Sequence, residues 1–136
     1  MDKTASAMTT WLNLLVVAAG GAVGSVARYL ITVGSAALPG GSTPLGTTIA
    51  NVAGCAAIGA LVQYTVLVQH VSPRLILAVQ VGFLGGLTTF SSFALDSTVM
   101  ANSGRWGLGG VFVLANLLLG WAALILTGAI VKEWMT

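Results

Sequence analysis

The chain has 136 residues, of which 57% are hydrophobic and only 6% charged, with a formal net charge of +2. Soluble domains carry about 25% charged residues, so the composition excludes a soluble domain, and so small a charge gives no footing for nucleic acid. A single cysteine, Cys55, and a single histidine, His70, exclude an internal disulfide and a thiolate metal site.

Four stretches reach the roughly 20 residues needed to cross a bilayer. They run from Trp11 to Val33, Gly46 to Gln69, Leu75 to Thr98 and Gly107 to Val131, leaving little outside them. The expected fold is an all-α integral membrane protein, a single four-helix domain over residues 1–136. Lys3 before the first span gives it the look of a secretory signal. A signal's apolar core covers only about 7–15 residues, however, and this run continues to Val33. Gly20-x-x-x-Gly24 in the first span and Ala50-x-x-x-Gly54 in the second let helix backbones approach closely. Between them, Pro39, Gly40, Gly41 and Pro44 punctuate a turn. Ser72-Pro73 marks the start of the third helix, with Pro in its first turn.

The third span carries the most informative segment, GFLGGLTTFSSFALD, Gly82 to Asp96. Three glycines, two threonines and two serines fall within a dozen positions where lipid alone would ask for Leu, Ile and Val. Each Gly weakens a helix by about 1 kcal/mol, and hydroxyls compete for its backbone hydrogen bonds. Freed backbone groups are tolerated at bilayer depth only where protein buries them or a watery cavity meets them. The helix is therefore expected to break at mid-membrane, and a broken helix there marks a binding or permeation site. Side chains at Gly85 or Gly86 are expected to remove or crowd that break.

Short loops make consecutive spans antiparallel, which leaves both termini on one side. Lys3, Arg74 and Lys132 fall on that side, Arg28 and Arg105 on the other. Three against two is almost no bias under the positive-inside rule. Either orientation is set by other signals, or copies insert both ways and pair as an antiparallel homodimer.

The embedded polar residues meet at one depth. At 1.5 Å per residue, Asn51 lies ~8 Å below the far surface, Asn116 ~14 Å and Phe90 and Phe93 ~8–12 Å. Arg28 and Asp96 are expected nearer that rim. Amides, hydroxyls (Thr89 and Ser92 among them) and aromatic edges offer positive potential without a cation, a lining suited to a small anion. Arg28 would draw an anion to the mouth. Each residue also has a plainer reading. Asn and Thr often only bond to a neighbouring helix, at about 0.6 kcal/mol. Phe90 and Phe93, at i and i+3, can be packing, and Arg28 can snorkel or pair with Asp96.

GGAVGSVARY (Gly20 to Tyr29), PLGTTIANVAG (Pro44 to Gly54) and GFLGGLTTFSSF in the third span closely resemble the Fluc family of fluoride channels, also called the CrcB family. The resemblance covers nearly the whole chain, and its GTxxxN and GGLTTFS elements are specific. It implies a passive fluoride-selective channel exporting cytoplasmic fluoride across a prokaryotic plasma membrane. It further implies a dual-topology homodimer with two pores and a structural sodium ion at its centre, held by backbone carbonyls matching Gly85 and Thr88. Asn51, Phe90 and Phe93 match the family's pore residues, accompanied by Thr89 and Ser92, and Arg28 matches the vestibule arginine. Three positions depart from the family pattern. TTFSSF replaces TTFSTF, Asp96 stands where glutamate is common, and Asn116 stands where the fourth helix usually offers a serine. Some genomes encode two subunits that pair as a heterodimer; intact Asn51, Phe90 and Phe93 argue against a degenerate partner.

Other functions fit less well. A proton-coupled multidrug exporter needs a membrane-embedded carboxylate, and Asp96 alone, near a helix end, approaches that. A non-conducting scaffold would not require a broken third helix with polar residues at matching depth. With one His, one Cys and three carboxylates, no catalytic constellation can be assembled.

Overall fold

A computed structural model describes residues 3–68 and 70–136. Gln69, the expected end of the second span, lies outside the described residues. Helix α1 runs Lys3–Ala37 and α2 Thr43–Leu67. The third span is composite: α3 (Pro73–Ile76), a π-helical stretch (Leu77–Leu84), α4 (Gly85–Leu87) and α5 (Phe90–Asn102). Helix α6 runs Trp106–Met135. Four helical segments are long and apolar enough to cross a membrane: Thr9–Ala37, Thr43–Leu67, Pro73–Asn102 and Trp106–Met135.

The helix starts follow from local chemistry. Ser42 caps α2 by accepting the Leu45 N–H at 3.3 Å, with Pro44 in the first turn where its missing donor costs nothing. Gly40 and Gly104, both at φ 73°, turn the chain after α1 and before α6 in a conformation that side-chain-bearing residues rarely adopt. Hydroxyls along the spans bond back to the preceding turn. Thr32 reaches the Arg28 carbonyl at 2.9 Å, Ser97 that of Phe93 at 2.7 Å and Thr98 that of Ala94 at 2.9 Å. Each thereby satisfies itself within its own helix, which hydrocarbon demands.

Glycine seams hold the spans together. A Cβ built at Gly20 would lie 2.2 Å from the Ala78 carbonyl oxygen, and one at Gly24 2.0 Å from that of Phe83. From the other side, Gly82 faces the Val17 carbonyl at 2.8 Å and Gly86 that of Gly21 at 2.5 Å. The Gly20-x-x-x-Gly24 pattern is thus spent inside the chain, seating α1 directly on the backbone of the third span. Helix α2 packs most extensively on α6. There Gly59 stands 2.1 Å, by the same measure, from the Leu124 carbonyl, and Thr127 donates across to the Ala56 carbonyl at 2.8 Å. Ala50, Leu84 and Leu87 form the small buried core between these seams, with Ala27, Ile31, Ile58, Val79 and Phe83 against it.

The two adjacent glycines of the third span differ in their surroundings. A Cβ at Gly85 meets nothing of the chain within 4 Å, whereas at Gly86 it would strike α1. Of these two, only Gly86 is crowded by α1 within a single chain.

The seams give a test. Gly24→Leu forces α1 off the Phe83 carbonyl and is expected to cost upwards of about 1–3 kcal/mol, as overpacking does. Gly110→Ala, where an added Cβ meets nothing within 4 Å, is expected to be neutral or slightly stabilising. Thermal melts of the two purified variants in detergent check this; equal melting points contradict the seam.

Candidate functional site

Between α4 and α5 the backbone leaves the helical conformation for two residues, Thr88 (φ −86°, ψ 152°) and Thr89 (φ −150°, ψ 117°). The interruption redirects a set of backbone groups. In a continuous helix the Gly85 carbonyl would accept from Thr89 and that of Thr88 from Ser92. Here the Thr89 N–H goes to Asn51 Oδ1 at 2.8 Å, and the Ser92 N–H to the Thr89 hydroxyl at 3.1 Å. The carbonyls of Gly85 and Thr88 therefore lose their helical donors. The Leu84 carbonyl keeps two, the Thr88 N–H at 3.0 Å and the Thr88 hydroxyl at 2.9 Å. The Gly86 carbonyl, facing the interruption, is taken by Arg28 Nε–H at 3.0 Å.

Helix α1 continues to Ala37, so Arg28 lies ~14 Å short of the helix end by helical rise, and its guanidinium is held by the Gly86 carbonyl of the third span. Its expected partner is engaged elsewhere: Asp96 Oδ2 accepts from Thr47 Oγ1 at 3.0 Å. No ion pair joins Arg28 and Asp96 among the described residues, although both line one cavity of about 250 Å³ with Thr43, Thr47, Thr89 and Ser92.

Two amides fix the interruption from the side of α2 and α6. Asn51 brackets Thr89 with both ends of its carboxamide, donating from Nδ2 to the Thr89 carbonyl at 3.3 Å while Oδ1 accepts the Thr89 N–H. Its second N–H goes to Asn116 Oδ1 at 3.1 Å. Asn116 in turn donates to Thr48 Oγ1 at 2.9 Å and to the Phe112 carbonyl at 3.1 Å. Both carboxamides thus spend both hydrogens on the protein. Sequence reading placed Asn51, Asn116 and Thr89 at similar depths, and here they are joined.

Phe90 and Phe93 pack with centroids 5.6 Å apart at 52°, and Phe93 meets Phe112 at 5.6 Å and 36°. Phe90 is 78% exposed on the single chain, poor packing for a ring with no other task. A second cavity, of about 300 Å³, is lined by Asn51, Cys55, Thr88, Thr89, Phe90 and Phe93, with Asn116 beside them. Thr89 lines both cavities, so the interruption stands between them. A larger groove of about 450 Å³, bounded by Leu61, Tyr64, Ile130 and Trp134, presents only apolar surface and has nothing to bind an ion.

Ser92 accepts from the Thr89 hydroxyl at 3.2 Å, and Ser91 shares a bond with that hydroxyl at 3.1 Å. Among the described residues no three His, Cys, Asp or Glu side chains gather to hold a metal. Sequence reasoning missed Thr48 and Phe112, and met Thr47 only as the threonine of GTxxxN, with no role of its own. Thr48 carried a usable signal, sitting three residues before Asn51 and so on the same face of α2.

Comparison with known proteins agrees over most of the length. Residues 15–129 match the family model described as CrcB-like protein, Camphor Resistance (CrcB). A relative from Cereibacter sphaeroides, named fluoride-specific ion channel FluC, is 42% identical over 123 residues, 90% of this chain and 97% of its own. Relatives of the same name from Agrobacterium fabrum (42% over 112 residues, 82% of this chain and 90% of theirs) and Koribacter versatilis (41% over 123 residues, 90% and 94%) agree. With four membrane-length helices and a match of this extent, the chain belongs to the CrcB family, an ion-channel family and not an enzyme family.

Proposed function

We propose that the chain is a passive, fluoride-selective channel that exports cytoplasmic fluoride across a prokaryotic plasma membrane, working as an antiparallel homodimer with two pores. The observation that carries this reading is the interruption at Thr88–Thr89, set between two cavities and tied on one side to amides and on the other to a guanidinium. The names of the relatives favour fluoride as the ion.

In this reading Asn51 and Asn116 do not strip the anion of its water themselves, since their hydrogens are committed. They hold Thr89 so that the hydroxyls beside it face the path. Ser92 Oγ receives a bond from Thr89, which leaves its own proton to turn toward a passing anion. The edges of Phe90 and Phe93 add weak positive potential where water is excluded. None of these contacts is strong enough to trap the ion, the balance that conduction needs. Arg28, held against Gly86 by Nε, keeps its remaining N–H groups for the cavity it shares with Asp96, which serves as the vestibule.

Two features favour a second copy. Phe90 and Gly85 are exposed on the single chain at membrane depth, and the lysine and arginine count is almost unbiased. The donor set fits a sodium ion at the centre of such a dimer. The Gly85 and Thr88 carbonyls are neutral, hard oxygens that have lost their helical donors. A cation bound there would supply electrostatic attachment between the two broken helices.

In liposomes loaded with fluoride or chloride, we expect fluoride to leave down its gradient without a pH gradient and chloride to be strongly retained. Phe90→Ile and Phe93→Ile keep the apolar bulk and remove the ring edge; each is expected to lower fluoride flux at least about tenfold with assembly intact. Comparable chloride flux sinks the selectivity, and parental flux from both isoleucine variants reduces the rings to packing.

Architecture is tested by charge. Two or three lysines added on the terminal side are expected to lock one orientation and abolish flux, with restoration by an oppositely biased copy. Full activity from the locked copy alone excludes the antiparallel dimer. The cation site predicts a higher melting temperature in sodium than in lithium or potassium; indistinguishable melts count against Gly85 and Thr88 as its holders.

A further inference from the structure

The hydrogen bonds around the interruption have a direction, and it begins at a residue that touches neither cavity. Thr48 Oγ1 gives its proton to the Pro44 carbonyl at 3.1 Å, so toward α6 it can only accept. It accepts from Asn116 Nδ2 at 2.9 Å, and the Phe112 carbonyl takes the other hydrogen of that nitrogen. With its NH₂ held by two acceptors, the Asn116 carboxamide must present Oδ1 to Asn51. Asn51 must then answer with its own NH₂, which leaves Oδ1 facing the Thr89 N–H. Turning either amide over would bring donor against donor or oxygen against oxygen. The Thr89 N–H and carbonyl ask the same orientation of Asn51 from the other end, so every link agrees in polarity from Thr48 to Thr89.

We propose that Thr48 is a positioning residue: acting through Asn116, it fixes the carboxamide of Asn51 and so the place of Thr89 between the two cavities. Without the Thr48 hydroxyl, one Asn116 hydrogen has no acceptor in a water-poor setting, where an unmet donor is costly. Asn116 then gains by rotating toward another acceptor, and its grip on Asn51 is lost. This deepens the channel reading and rests on it for the functional consequence, but the positioning itself can be read without transport.

The experiment measures hydrogen exchange at the Thr89 backbone amide by NMR on the purified protein in lipid nanodiscs, alongside fluoride efflux from liposomes. Thr48→Val keeps the shape and removes the acceptor; Thr48→Ser keeps the acceptor and serves as rescue. Thr48→Val is expected to speed Thr89 exchange roughly tenfold, the weight of one hydrogen bond, and to slow fluoride efflux by a similar factor. Thr48→Ser is expected to stay near the parent in both. In an Asn116→Ser background, Thr48→Val is expected to add nothing, since the relay is already cut; Thr48→Ala gives the same reading should the valine variant not fold. Unchanged Thr89 protection in Thr48→Val overturns the proposal, as does an equal effect with and without Asn116. If Thr89 protection responds as expected while the parent passes no fluoride, the positioning role stands and the channel reading fails.

Discussion

Opening a helix inside a membrane releases peptide groups that lipid cannot satisfy, each at a cost of several kcal/mol if left unpaired. At Thr88 and Thr89 that debt is met from three directions. Asn51 acts as a stand-in peptide unit, offering Thr89 one donor and one acceptor much as a neighbouring strand would. Thr89 caps the helix that follows, and Arg28 takes up the Gly86 carbonyl. Once these partners are fixed, the rest of the site has little freedom. Phe90 and Phe93 must leave α5 on its first turn, and the hydroxyls of Ser91 and Ser92 must crowd the Thr89 side chain.

Rigidity of that kind requires neighbours that cannot drift. The glycine seams between α1 and the third span bring backbone against backbone, leaving no flexible side chain to absorb a shift. Gly54 extends the same constraint to the interruption, since a Cβ there would lie 2.2 Å from the Thr88 methyl. Small residues thus govern where helices sit, and amides govern how the opened backbone is oriented.

Much of this was legible in the sequence. Four spans followed from hydropathy, and the density of Gly, Thr and Ser at 82–92 drew attention to the segment where Thr88 and Thr89 leave the helix. Depth arithmetic also brought Asn51, Asn116 and Thr89 to one level. Partner choice was not legible. Nothing in the sequence pointed Arg28 to the Gly86 carbonyl, which lies 58 positions further along the chain. Gly85 and Gly86 are indistinguishable by composition; only the direction each Cα faces separates open space from α1. Thr48 went unnoticed because a threonine in a helix ordinarily bonds its own preceding turn. This one does so toward Pro44 while also receiving Asn116.

The π-helical stretch from Leu77 to Leu84 sharpens the alignment of residues that an ordinary helix would let drift. Ala78, Gly82 and Gly86 all meet α1, and they stand four residues apart. At 3.6 residues per turn, positions four apart slip about 40° around the axis with each step. Two steps would carry Gly86 well away from the line on which Ala78 began. A wider turn holds more residues per revolution and brings the three back into phase. The pitch of the third span is thus written in its sequence as three small residues, Ala78, Gly82 and Gly86, spaced four apart. The angular origin of α5, and with it the heading of both phenylalanines, is inherited from turns of helix that precede the interruption.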